Sequence, residues 1–133
     1  MTPELKQKWI EKLESGQYKQ CTGVLYNGDG YCCLGVLIEA AGGEFVQTAE
    51  ADEDYGYQAE YDPKPINGIE VNDGVEVLSN LGLEMFGLTS DQQQMLTRLN
   101  DGERNRKDSD GNPLPDLKPK TFREISQVIR EAL

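Results

Sequence analysis

A chain of 133 residues with 37% apolar content can fill one modest core and not two, and its 24 acids against 13 bases set a net charge of −11. Histidine is absent, which removes the usual general base, the Ser/His and Cys/His nucleophile pairs and the commonest metal ligand together. No apolar run approaches the roughly 20 residues a membrane helix needs. The charged opening "MTPELKQKWIEKL" has no signal-type apolar segment, so the expectation is a soluble cytoplasmic domain, non-enzymatic and without cofactor. Three cysteines, two of them adjacent, read as free thiols in a reducing compartment.

The first element is expected as a helix near 3–14. Thr2 caps it, Pro3 suits its first position, Leu5, Trp9, Ile10 and Leu13 share a face, and Gly16 stops it. In "CTGVLYNGDGYCCLGVLIEAAGG", Thr22–Tyr26 is a short β-type run and "NGDG" a turn. The run 31–41 carries Glu39 as its single charge and ends at Gly42, which predicts a helix buried nearly all round. Gly35 would admit a close neighbour, with the backbone of the first helix as the suggested one. Residues 44–71 read as two or three short antiparallel strands, with Tyr55, Tyr57 and Tyr61 in the same parity and "DPKP" as a breaker.

Further on, helices are expected near 75–81, 89–99 and 121–132. The last two are each opened by a capping box, Thr89 with Gln92 and Thr121 with Glu124. Residues 101–120 have no apolar period and read as a long mobile loop. The fold class is therefore α+β, a single compact domain of about five helices packed on a small antiparallel sheet drawn from residues 20–71.

Few residues offer chemistry. Cys32 and Cys33 begin a helix, where the dipole favours a thiolate, yet with no histidine near and acids around them they read as buried packing. "DSDGN", 108–112, fails as a calcium loop: with Gly111 at the sixth position, Arg106 and Leu117 fall where carboxylates are required. "NGDG" could cradle an anion on its amides. This gives a ligand-binding alternative built on Tyr18, Cys21, Tyr26, Asn27, Asp29 and Tyr31.

Charge is the most distinctive feature. Residues 20–97 hold fourteen acids and one base, Lys64. That speaks against direct nucleic-acid binding, which needs cations to displace phosphate counterions, and it points to a protein with a basic surface as partner, or to no partner at all, the acids then only keeping the protein soluble. Within this stretch Asp52, Glu53, Asp54, Tyr55, Tyr57, Glu60 and Tyr61 combine acids with aromatic anchors and form the candidate partner surface, possible as a mimic of nucleic-acid charge.

The segments "SGQYKQCTGVL", "GYCCLGVLIEAAG", "GLTSDQQQMLTRLND" and "TFREISQVIREAL" resemble a group of small phage and prophage proteins of undefined function that share a Cys-Cys-Leu-Gly-Val-Leu core helix. The resemblance covers about half the chain and brings no catalytic residues. It implies a phage setting within an infected bacterial host, where an acidic accessory protein would bind and inhibit a host defence or nucleic-acid-processing enzyme. A virion or assembly component is the third alternative.

Overall fold

The computed structural model describes residues 1–133. Helix α1, Pro3–Glu14, starts where the Thr2 hydroxyl accepts from the Leu5 N–H at 3.2 Å and buries Trp9, Ile10 and Leu13. It packs on α2, Cys33–Ala40, and on α5, Phe122–Ala132. Helix α2 is wrapped on nearly every side: Cys33, Leu34, Val36, Leu37 and Ile38 are all buried. It is shorter at its start than the sequence suggests, because Cys32 stays extended and its Sγ accepts from the Gly35 N–H as the cap.

Gly35 does admit a close neighbour, but a different one from that expected. A Cβ there would lie 2.0 Å from the Leu25 carbonyl oxygen, so at this one position the segment leading into the turn, rather than α1, approaches α2. Residues 22–25 consequently form no strand. Isolated bridges from Gln20 and Tyr26 to Tyr31 hold the segment instead, and the Leu25 N–H donates to the Val75 carbonyl at 2.9 Å.

The expected single sheet is two separate antiparallel pairs. Strand β1, Phe45–Ala49, pairs with β2, Glu60–Pro63, with a bulge at Thr48. The two-residue strands β3, Asn72–Asp73, and β4, Val77–Leu78, lie beyond the expected range. They replace the helix expected over 75–81. β-branched Val75 and Val77 suit a turn and strand better than a helix, and the helix cap comes only at Ser79, whose Oγ accepts from the Gly82 N–H at 2.9 Å. Helix α3 therefore spans Asn80–Phe86.

Helix α4, Ser90–Asp101, and α5 both carry the capping boxes read from sequence. Between them, residues 103–117 fold back on themselves rather than forming a structureless loop. Bridges join Glu103 to Leu117 and Lys107 to Pro113. The Asp108 carboxylate accepts from the N–H groups of Asp110 and Asn112, each at 2.9 Å, so it closes a turn. No helix is long and apolar enough to cross a membrane.

Two polar contacts lock the helices together. Asn100, fully buried at the end of α4, makes four hydrogen bonds. Its Oδ1 accepts from the Cys33 N–H (3.0 Å) and Gln20 Nε2 (3.2 Å), and its Nδ2 donates to the Cys21 carbonyl and to Asp101 Oδ1 (both 2.8 Å). At the other end, Arg130 on α5 donates through both terminal nitrogens to the Glu14 carboxylate on α1, which also accepts from Ser126 Oγ at 2.7 Å. The Arg130 and Ser126 hydrogen bonds hold the Glu14 carboxyl down at about 2, from an ordinary 4.5.

Asn100→Ala leaves the Cys33 amide buried without a partner and strips the half-buried Cys21 carbonyl of its own, and denaturant unfolding should register a loss of about 2–4 kcal/mol. Glu14 contributes in its ionised form, so its stabilisation is complete above the ordinary pKa near 4.5 and fades as pH falls towards 2. Thermal melts should accordingly place Glu14→Gln below the unmodified protein by a constant interval from pH 6 to 8, with the gap closing below roughly pH 4.5.

Candidate functional site

The β1–β2 hairpin carries the acidic segment at its tip. Asp52 and Tyr57 pair through two backbone hydrogen bonds of 2.9 Å, and the Asp52 carboxylate accepts from the Asp54 N–H at 3.1 Å, which folds 52–57 into a tight loop. Tyr55 and Tyr57 stack on this loop with ring centroids 6.4 Å apart, and they are 78% and 69% exposed. The shared parity of Tyr55, Tyr57 and Tyr61 does not make one strand face, because a strand begins only at Glu60. Tyr61 alone of the three turns inward.

Behind the hairpin lies an aromatic cluster. Tyr26 stacks on Tyr31 (4.4 Å between centroids, 29° between planes) and meets the edge of Tyr61 at 5.1 Å and Phe45 at 5.1 Å. Tyr18 packs edge-on against Tyr31 at 5.2 Å. The Tyr31 hydroxyl donates to Glu39 at 3.0 Å, and burial together with that carboxylate pushes its pKa up. Gly28 belongs to this arrangement by size as well as by its φ of +92°: a Cβ there would sit 2.5 Å from the Tyr61 hydroxyl.

Between the hairpin and residues 24–27 is a groove of about 460 Å³. It brings together residues that sequence reasoning had assigned to two separate sites. Asp52, Tyr57, Glu60 and Tyr61 come from the acidic set, and Tyr26 and Asn27 from the ligand set. Glu53, Asp54 and Tyr55 lie outside the groove on the hairpin tip, while Tyr18 and Tyr31 stand behind its wall. Glu50 and Ala59, inside the acidic stretch 50–62 but not among its candidate contacts, also line it, as do Ala49, Val24 and Val75, to which no sequence signal points. Val75 falls in the stretch whose composition predicts a helix, so nothing in its pattern points towards the hairpin.

The anion cradle at "NGDG" is already occupied by the chain itself. Asn27 Oδ1 accepts from the N–H groups of Asp29 (2.9 Å) and Gly30 (2.7 Å), and the Tyr31 N–H donates to the Lys19 carbonyl. The Asp29 carboxylate pairs with Lys19 at 2.6 Å. No cluster of three or more His, Cys, Asp or Glu side chains could hold a metal ion.

The three thiols are all free. Cys21 is half-buried and away from the groove, and burial followed by the charge of Asp101 pushes its pKa up to about 11. Burial takes Cys32 to about 12 and raises Cys33 well above the ordinary thiol range. Cys33 Sγ lies 3.6 Å from the Leu96 carbonyl, inside the core.

A family model matches the whole chain, residues 1–133. The chain belongs to DUF8296, a family described as a domain of unknown function. The groove, the Asn100 contacts and both capping boxes all fall within the matched span. No curated protein and no solved structure matches the chain.

Labelling with a thiol-specific disulfide reagent at pH 8 should modify Cys21 more slowly than free cysteine and leave Cys32 and Cys33 untouched, since the thiolate is the reacting form. Unfolding in denaturant should expose all three. Rapid native labelling of a second thiol, located by mass spectrometry, would contradict the buried placement of the pair.

Proposed function

We propose that the protein is a non-enzymatic accessory protein, of the phage type its four segments resemble, whose acidic hairpin face docks on a basic surface of a host defence or nucleic-acid-processing enzyme. One observation supports this above the others. The hairpin places Tyr55 and Tyr57 in solvent beside Asp52, Glu53 and Asp54, with Glu50 and Glu60 at the adjoining groove, and no ion pair within the protein involves any of these carboxylates.

Large exposed aromatics anchor interfaces, and uncompensated charge steers a complementary partner into register. A row of acids on a projecting loop also suits a groove that normally holds a phosphate backbone. The alternative of a nucleotide or other small anion at residues 27–31 is less well supported, because the turn amides are taken and the neighbouring groove is acidic.

The test is a pull-down from bacterial lysate at low and high salt, followed by purification of the captured protein and measurement of its affinity. The Asp52→Lys, Glu53→Lys, Asp54→Lys variant serves as control, with its fold checked by circular dichroism. The reading expects a salt-sensitive complex weakened at least about tenfold by the charge reversal. An affinity equal in both proteins would overturn it.

A further inference from the structure

The groove behind the hairpin is more specific than the acidic face around it. Its aromatic lining comes from Tyr26, Tyr57 and Tyr61, and its acids are Glu50, Asp52 and Glu60. No lysine or arginine lines it, and none reaches these three carboxylates elsewhere in the structure. An anion would be repelled there, and a neutral apolar group would make no use of the three carboxylates, which stand exposed at the groove with no cation beside them.

The occupant that satisfies both kinds of lining is cationic and flat. A guanidinium stacks on tyrosine faces, is only weakly hydrated, and presents paired N–H donors to a carboxylate. An ammonium is compact and strongly hydrated, so it gives up more on entering a lining that is apolar over most of its extent. The volume of about 460 Å³ lies in the range of small-ligand pockets, roughly 300–1,000 Å³, which leaves space for an arginine side chain with part of its backbone.

We infer that the groove is a receptor for a single arginine side chain, presented on an extended segment of the partner protein. This deepens the docking reading and rests on it: the hairpin tip supplies attraction over distance, and the groove supplies the choice of residue.

The probe is an N-acetylated, C-amidated pentapeptide with one arginine between glycine pairs, compared with its lysine and citrulline counterparts. Amide chemical shifts of the full chain are followed during titration at low ionic strength. The expected result is saturable shifts at Tyr26, Asn27, Ala49, Tyr57 and Tyr61 with the arginine peptide, weaker binding of the lysine peptide, and none of citrulline, which keeps the shape and loses the charge. Tyr57→Ala, an exposed position, should weaken the arginine peptide roughly three- to tenfold while leaving the net charge unchanged. Glu60→Gln should weaken it independently.

Shifts spread evenly over the acidic surface, equal binding of the lysine or citrulline peptide, or indifference to Tyr57→Ala would each overturn the inference. The two readings fail separately. A salt-sensitive host complex without groove shifts removes the arginine receptor and leaves the docking face, whereas groove binding without any host complex removes the host enzyme and leaves the receptor.

Discussion

A single carboxamide sits where the chain's separate pieces converge. Asn100 closes α4, and its four hydrogen bonds run to the start of α2, to the segment at Gln20 and Cys21, and to its own neighbour Asp101. The Cys33 peptide is held from both sides, by Asn100 at its N–H and by the Trp9 indole, which donates to its carbonyl at 2.8 Å. Gln20 extends the network to the Lys120 carbonyl just before α5. A buried amide whose donors and acceptors are all used fixes one arrangement of its partners, since any shift leaves a polar group dry and unpaired.

The groove depends on this arrangement through α2. With the helix start fixed, Gly35 lets the Leu25 carbonyl approach the helix where any larger residue would push it away, and the Cys32 N–H donates to that same carbonyl at 3.1 Å. This positions Tyr26, whose ring stacks on Tyr31 and receives Tyr61 from the hairpin. Asp62 adds a second tie, accepting from Asn72 at 2.7 Å and so joining β2 to β3. The hairpin base is thus seated on the core, while its tip, with Tyr55 and the acids, projects free of it.

Local signals were legible where the chemistry is local. Caps at Thr2, Thr89 and Thr121, the stripe along α1 and the apolar run of α2 all specify helices within a few residues, and those helices form. The antiparallel pairing of 45–49 with 60–63 was readable as strands but not as a register, because the bulge at Thr48 and the tight turn at 52–57 reset the alternation that parity reasoning relies on. The stretch 75–81 misled because a run of apolar residues has no period of its own there; Ser79, a cap inside the run, was the signal that divides strand from helix. Asn100 was invisible as a hub. An Asn-Asp-Gly helix end looks the same whether its side chain meets water or two distant segments, and only the packing of those segments decides which.

The cations are placed away from the acidic face. Every arginine lies at or beyond residue 98, and the pairs Arg98–Glu103, Arg106–Glu103, Lys120–Glu124 and Arg130–Glu14 balance charge among the two ends of the chain. In the middle, Lys19 and Lys64 each take one acid near the base of the fold, Asp29 and Glu44. Nothing offsets residues 50–60. Solubility would be served as well by acids interspersed with bases, which also avoids self-repulsion in the compact state. Concentrating them on one projecting hairpin, beside a tyrosine-lined groove, instead creates a field that falls off within about 8–10 Å at physiological salt. Such a field has little influence on the helices behind the hairpin, and the self-repulsion of the clustered acids is confined to the projecting loop itself.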